Sequence, residues 1–238
     1  MRVVKIKKFT EEVEDIGWLV DGLLPDTGWT LLVGKQGLGK STFAMQLCNA
    51  LQDHTDFLGR KTQQRDVMFI QADSATAEWR MMLKRIAPDS DGWTMVDVPA
   101  KCLDNAAYVE LIKTWVPKVK PGFIVFDSLY NLTGKSISTE GVLVPIQAMK
   151  SIANASGEDI PWLLIHHPPH NETRAAGHHS IAANCSNEWH LLKSMIKIAK
   201  GRLVKDKSVL LSRLDNGLWT ARGDAPSNGK YQGLDIGL

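Results

Sequence analysis

Continuous apolar runs alternate with amphipathic segments along most of this 238-residue chain. Runs such as 29–33 and 123–127 are short and β-prone, which is typical of strands buried on both faces of a parallel sheet. Between the runs, apolar residues recur at helical spacing, which predicts amphipathic helices. Regular alternation of strand and helix indicates right-handed βαβ units. We therefore predict an α/β fold with a mostly parallel, twisted sheet flanked by helices.

Other elements follow from the same pattern. One helix is predicted to begin at the cap Asp104 and to end at Pro117, and another runs from about residue 144 to 155. Segments beyond Ile181 are strand-like and end in a hairpin at 210–221. The predicted strands are 29–33, 66–72, 93–98, 123–127 and 162–167. The predicted inward stripe of the helix after Asp104 is Ala107, Tyr108, Leu111, Ile112 and Trp115.

Composition narrows the class of protein. An apolar content of 44% is enough for one large domain, which we place at 16–222 between an arm at 1–15 and a flexible tail at 223–238. Three cysteines, an odd number without metal-ligand spacing, favour a reducing, cytoplasmic compartment. No apolar run approaches the roughly 18 residues of a membrane span, so a membrane partner is not expected.

The segment VGKQGLGKST contains the phosphate-loop pattern G-x-x-x-x-G-K-[ST]. Its glycines let backbone N–H groups turn toward a phosphate at a helix N-terminus. We predict that a nucleoside triphosphate binds here, with Lys40 on the β- and γ-phosphates and Ser41 on Mg²⁺. The alternative is a glycine-rich turn without a ligand, but the flanking strand and helix favour the phosphate loop. The predicted nucleotide-binding residues are Gly34, Lys35, Gln36, Gly37, Leu38, Gly39, Lys40, Ser41 and Thr42.

Two carboxylates follow predicted strands at the same edge of the sheet. Asp127 ends the run FIVFD, where the acidic partner of hydrated Mg²⁺ is expected, although a turn cap is the alternative. Asp73 follows the strand at 66–72 and is placed to orient or deprotonate the attacking water. Asp73 is also suited to cap the following helix, and the two roles are compatible.

Five histidines are concentrated after the strand at 162–167. His166 and His167 end that strand, where an imidazole is suited to donate a hydrogen bond to a γ-phosphate. A structural role at the strand end is one alternative, and a metal site completed by His170, His178 and His179 is another. Consecutive strand residues face opposite ways, and no cysteine or spaced carboxylate completes a known ligand set, which argues against zinc.

Together these features resemble the RecA-like ATPases, in particular the compact RepA-type plasmid replicative helicases. The likeness covers about 16–219 and rests on WLVDGLLP, the phosphate loop, QADSATAEW, FIVFDSL and the histidine pair. It implies a RecA-like fold with C-terminal antiparallel strands, and ATP and Mg²⁺ as cofactors. It also implies that Asp73 acts on the water and that His167 senses the γ-phosphate. The loop at 168–180 would then face a channel for single-stranded nucleic acid.

The resemblance further implies a homo-oligomeric ring or filament. In the family a late basic residue reaches the phosphates of the neighbouring subunit, and Arg213 resembles that residue. The alternative for Arg213 is an exposed hairpin cation. Two departures from the family pattern bear on activity. Asp73 stands where Glu is usual, which predicts slow hydrolysis. Pro-Pro-His stands where a Lys is usual, which leaves fewer fixed charges in the channel loop.

We therefore expect an ATP-hydrolysing motor of helicase or recombinase type that acts on single-stranded DNA in replication or recombination. A basic bias from Lys193 to Arg222, eight basic against two acidic residues, fits this expectation but is equally typical of a solvated face. One alternative is an ATP-dependent switch or loader that acts on a protein partner. Another is a small-molecule phosphotransferase, against which no Arg-rich lid segment is found.

Overall fold

Strands and helices alternate along the chain as the hydrophobic pattern predicts. The computed structural model describes residues 17–72, 76–86, 92–134, 141–167, 178–202, 204 and 208–224. The strands are β1 (Trp18–Val20), β2 (Leu24–Pro25), β3 (Trp29–Val33), β4 (Val67–Gln71), β5 (Thr94–Asp97), β6 (Phe123–Asp127), β7 (Trp162–His166), β8 (Asn187–Leu191), β9 (Met195–Gly201), β10 (Ser208–Arg213) and β11 (Trp219–Asp224). The helices are α1 (Lys40–Gln52), α2 (Thr76–Ile86), α3 (Ala106–Val119), α4 (Leu129–Leu132), α5 (Leu143–Ala153) and α6 (His178–Asn184), with a 3₁₀ turn at Cys102–Asp104.

Nine strands form one sheet in the order β11-β10-β9-β8-β3-β7-β6-β4-β5. The six strands from β8 to β5 are parallel, whereas β9, β10 and β11 pair antiparallel at the other end. Strands β1 and β2 form a separate two-stranded sheet. The predicted α/β fold, mostly parallel sheet and C-terminal hairpin are therefore confirmed.

Helices cover both faces of the sheet, as buried parallel strands require. On one face α1 and α2 pack through Phe43, Leu47 and Trp79. On the other face α3, α4, α5 and α6 pack against the opposite side chains of the same strands. Each central strand consequently buries every residue, which explains why their sequences read as continuous apolar runs.

Helix α3 buries a different stripe from the one predicted. Its buried residues are Val109, Ile112 and Val116, whereas Leu111 and Trp115 are exposed. The Trp115 ring instead carries the Lys118 ammonium 4.6 Å above its centroid. Of the predicted stripe, Ile112 is buried, but the others are wrong because apolar residues line two adjacent faces of this helix, and the narrower β-branched face is the one that fits against the sheet and α5.

The ends of α3 also differ from prediction. The N-cap is Asn105, whose side chain accepts a hydrogen bond from the Ala107 N–H at 2.9 Å. Asp104 instead accepts from the Thr133 hydroxyl and the Gly134 N–H, each at 2.7 Å, and thereby ties two loops together. At the other end the helix continues through Pro117 and ends at Val119. The proline is tolerated because in the last turn it removes only one backbone hydrogen bond.

The C-terminal part of the chain departs from prediction at two points. Residues 178–184 form the helix α6, so the expectation of strands from Ile181 onward was wrong there. The hairpin of β10 and β11 is confirmed, and β11 extends to Asp224 into the segment predicted as a tail. The predicted arm and the rest of that tail lie outside the described residues. Among the described helices, none combines the length and apolarity that crossing a membrane requires.

Candidate nucleotide-binding site

The predicted phosphate loop lies between β3 and α1, at the carboxyl edge of the parallel strands. Gly37 and Gly39 have φ angles of +78° and +85°, a left-handed conformation that glycine adopts without steric cost. Gly39 is the N-cap of α1, so no side chain caps the helix, and its first turn contains no acidic residue. The positive end of the helix dipole is therefore left facing the loop, as anion binding requires.

Gly34 fits the loop against the neighbouring strand β8. A Cβ placed on Gly34 would lie 2.8 Å from the Leu191 carbonyl oxygen, closer than side-chain carbons approach backbone oxygens. A residue with a side chain would therefore push apart the loop and the end of β8. This close approach gives the first glycine of the motif a packing function as well as a conformational one.

Lys40 lies inside the loop and is only 3% exposed. Its ammonium donates hydrogen bonds to the carbonyl oxygens of Gly34 at 2.7 Å and Lys35 at 2.9 Å. A buried cation is costly unless it is hydrogen-bonded or paired, and these carbonyls supply the bonds. The charge is thus held at the place where the motif predicts the β- and γ-phosphates.

His167 follows β7 directly and lies near enough to Lys40 to be affected by its charge. Burial, and secondarily the Lys40 ammonium, lower the pKa of His167 to about 4. The imidazole is therefore neutral at pH 7 and has one N–H to donate. Its Nδ1 is buried, and among the described residues it has no hydrogen-bond partner. His167 is accordingly a buried, neutral imidazole close to Lys40, and its predicted contact with a γ-phosphate stays a prediction.

The remaining histidines do not share this position. His166 is in register with Val33, and its side chain lies on the opposite sheet face from His167. His170 and the side chains of His178 and His179 lie outside the described residues, and the alternative of a metal site that includes them stays a prediction. Within the part of the chain that the structure describes, no group of three potential metal ligands converges.

Asp127 is completely buried at the end of β6. Phe123 and Val125, four and two residues earlier, pack into the core on the α1 side, so strand alternation places Asp127 on that same side. Asp73 lies outside the described residues. The preceding residue Ala72 donates its N–H to the Asp127 carbonyl oxygen at 2.9 Å, so Ala72 lies beside the end of β6.

Gln71 is a buried polar residue of this edge that the sequence analysis missed. It is in register with Asp127 on β6 and with Asp97 on β5, and its amide nitrogen donates to the Asp97 carboxylate. The sequence signal for Gln71 is a polar residue at the end of an otherwise apolar run.

The hairpin of β10 and β11 contacts the phosphate loop of the same chain. A Cβ placed on Gly39 would lie 2.7 Å from Nη2 of Arg213. Arg213 also donates from Nε to the Gly217 carbonyl oxygen at 3.2 Å, and its guanidinium carbon lies 5.4 Å from the Trp219 ring centroid. The expected contact of Arg213 with a neighbouring subunit stays a prediction.

A second feature that the sequence did not indicate fixes this hairpin to α1. The Gln46 amide nitrogen donates to the Trp219 carbonyl oxygen at 2.7 Å, and the Trp219 N–H donates to Gln46 Oε1 at 2.9 Å. Because β11 is an edge strand, this pair satisfies backbone groups that β10 does not reach. We call this reciprocal pair the Gln46–Trp219 clamp.

These residues fit a nucleoside triphosphate and its magnesium ion. The loop supplies backbone N–H groups and a buried ammonium for the phosphates. The Ser41 hydroxyl, at the second position of α1, and the buried Asp127 carboxylate are oxygen groups of the kind that Mg²⁺ prefers.

Comparisons with known proteins agree with this assignment. The profile of the AAA domain family matches residues 2–173. No curated protein sequence matches the chain. A solved structure of a KaiC-like protein from the hyperthermophilic archaeon Pyrococcus horikoshii OT3 superposes with a TM-score of 0.61 at 16% identity, covering 85% of this chain and 93% of that chain. This likeness confirms the RecA-like fold, while membership of the RepA-type helicases stays a prediction. Because the family profile spans well over half of the sequence and includes the phosphate loop, the chain belongs to the AAA domain family of P-loop ATPases.

Proposed function

We propose that this chain is an ATP- and Mg²⁺-dependent ATPase that acts as a motor on single-stranded nucleic acid in replication or recombination. The observation that carries the ATPase part is the buried Lys40 ammonium, held by carbonyls inside a glycine loop at the edge where the buried Asp127 also lies. A lysine with only a structural role would not need to be buried in a loop that contains two left-handed glycines. Burial favours a phosphate-binding lysine, because surroundings of low polarity strengthen the attraction between its ammonium and an anion.

Each side chain has a role that its environment supports. Lys40 and the first turn of α1 bind and orient the phosphates. Ser41 and Asp127 would hold Mg²⁺, which neutralises charge on the β- and γ-phosphate oxygens when it is bound. The neutral His167 donates an N–H toward the γ-phosphate and so distinguishes a triphosphate from a diphosphate. Asp73 is the proposed base for the attacking water, an assignment that rests on the family resemblance.

The nucleic-acid part of the proposal rests on the resemblance and on the basic C-terminal segment. One member of that segment has a structural function, since the Lys200 ammonium donates to the Ala182 and Cys185 carbonyl oxygens at the end of α6. Assembly into a ring or filament and a cytoplasmic location are further proposals. All three cysteines are buried free thiols, which supports a reducing compartment.

The test is ATP hydrolysis measured with and without single-stranded DNA or RNA, together with direct binding of a fluorescent oligonucleotide. Lys40→Ala should lower turnover roughly 100- to 1,000-fold, because it removes the main charge that stabilises the transition state. Lys61→Ala is the matched control, since Lys61 is an exposed cation that pairs with Asp56. Normal turnover by Lys40→Ala would refute the site.

Nucleic-acid action is tested separately by the same assays. Stimulation of hydrolysis by single-stranded DNA, with measurable binding, would support the motor. Hydrolysis without stimulation and without binding would reject the motor and leave the ATP-dependent switch or loader.

A further inference from the structure

Arg213 contacts the phosphate loop of its own chain, a contact that a residue acting only on a neighbouring subunit would not require. Its Nη2 is near enough to Gly39 that a single methyl group there would collide with it, and the more distant Nη1 would still lie within 3.7 Å. Gly39 is also the residue from which α1 begins. The guanidinium is therefore beside the backbone N–H groups that are expected to cradle the phosphates of this chain.

Most of the hydrogen-bond donors of the Arg213 guanidinium make no hydrogen bond to the described residues. Of its five N–H donors, only the one on Nε is used, in the bond to the Gly217 carbonyl oxygen. Within the described residues, no hydrogen bond from Nη1 or Nη2 and no ion pair of Arg213 is found. The planar pair of Nη groups is the arrangement that binds phosphate oxygens in a bidentate manner.

The position of Arg213 is fixed by the fold of the same chain. The Gln46–Trp219 clamp joins the hairpin to α1 less than two turns from the loop. The guanidinium also makes a cation–π contact with the buried Trp219 ring. A preorganised cation loses little freedom on binding a ligand, so this placement favours affinity.

A second arginine increases the positive charge around the same hairpin. A Cβ placed on Gly217 would lie 3.3 Å from the guanidinium carbon of Arg85, at the end of α2. In the described part of the chain, Arg85 is in no ion pair. Two guanidinium groups close to one turn repel each other, and a polyanion beside the loop would relieve that repulsion.

We propose that Arg213 binds the α- and β-phosphates of the nucleotide held by its own subunit, so that it acts in cis. This inference rests on the proposed nucleotide site and assigns Arg213 a role different from a finger that reaches across a subunit boundary. A cis contact near Gly39 involves phosphates that ATP and ADP share. A finger in trans acts mainly on the γ-phosphate in the transition state and requires assembly.

The first experiment measures ATP and ADP affinity by fluorescence titration, at a concentration where light scattering shows single chains. Arg213→Ala should weaken the binding of both nucleotides about tenfold or more, because a bidentate contact that is lost includes at least one charge-assisted hydrogen bond to a phosphate. Arg222→Ala is the matched control, an exposed arginine on the other strand of the hairpin. Arg213→Lys keeps the charge and should retain part of the affinity, which also guards against a folding defect. Unchanged affinity of Arg213→Ala for both nucleotides would overturn the inference.

The second experiment mixes Lys40→Ala and Arg213→Ala chains and follows ATP hydrolysis. A finger in trans predicts recovery, because some sites would combine an intact Lys40 with an intact Arg213 from the neighbour. A cis residue predicts no recovery, because every chain then carries one lesion in its own site. Recovery of activity would overturn the inference.

The two proposals fail in different ways. If the wild-type chain binds no ATP, the nucleotide site itself is wrong, and the role of Arg213 falls with it. If the wild type binds and hydrolyses ATP while Arg213→Ala binds as well as the wild type, only the cis role is wrong.

Discussion

Replacing Gln46 by alanine removes both hydrogen bonds of the Gln46–Trp219 clamp and leaves the rest of α1 unchanged. The bonds are 2.7 and 2.9 Å long, and Trp219 is buried, so water replaces them poorly. Each is worth about 1 kcal/mol net, and we expect a loss of about 2 kcal/mol in the free energy of unfolding. In a domain of this size that corresponds to a fall in Tm of about 4–8 °C.

The expected effect on ligand binding is more specific than the effect on stability. Without the clamp the hairpin is no longer fixed to α1, so Arg213 is less often beside Gly39, and ATP affinity should fall. Gln52→Ala is the matched control, because Gln52 lies on the same helix and bonds Asp66 and the Val67 N–H at its far end.

Urea unfolding and nucleotide titration of both variants make the comparison. Gln46→Ala should lose stability and affinity, whereas Gln52→Ala should lose only some stability. Gln46→Ala with both properties at the wild-type level would refute the clamp. Equal loss of affinity in the two variants would show that general loosening of α1, and not release of the hairpin, is responsible.

Two further predictions concern the loop and its histidine. Gly34→Ala should lower the free energy of unfolding by about 1–3 kcal/mol, because the added Cβ meets a backbone oxygen that cannot rotate away. A Cβ added at Gly37 has no neighbouring atom within 4 Å, so Gly37→Ala should cost only the roughly 1–2 kcal/mol of a left-handed alanine. Urea unfolding measures both variants, and the reversed order of the two losses would contradict this reasoning. For His167, NMR titration should give a pKa of about 4 that rises when ATP is added, since phosphate charge offsets Lys40. Because the pKa of His167 in the folded protein lies below the ordinary 6.5, the free energy of unfolding should decrease as pH falls from about 6.5 toward 4, and His167 should not affect it above that window. If His167→Gln shows the same dependence of the free energy of unfolding on pH, His167 makes no such contribution.

The sequence was most informative where structure is local or burial is complete. The phosphate loop is defined by adjacent residues, and each central strand is apolar at every position because both faces are covered. Periodicity was less informative for α3, since Val109 and Trp115 lie on adjacent apolar faces and only tertiary packing decides which one is buried.

Contacts between distant segments left no signal in the sequence. Gln46 is an ordinary helical residue until Trp219 is brought to it, and Arg213 reads as a hairpin cation until the sheet places it against Gly39. Helix α6 is short and contains two histidines and a serine, residues of modest helix propensity, so its local sequence did not distinguish it from loop or strand. The general site was therefore predictable from the sequence, but its hairpin side was not.

The position of β3 in the sheet has a consequence for how this site arises during synthesis. Strand β3 and the phosphate loop are made early, but β3 is paired on one side with β7 and on the other with β8, both from the last third of the chain. Closing such long loops must precede any gain from pairing, which slows folding of parallel sheets. A nascent chain that ends before β7 therefore presents the loop without a strand on either side to hold it. We expect nucleotide binding to stabilise the complete chain by mass action, and not to stabilise nascent fragments that end before β7.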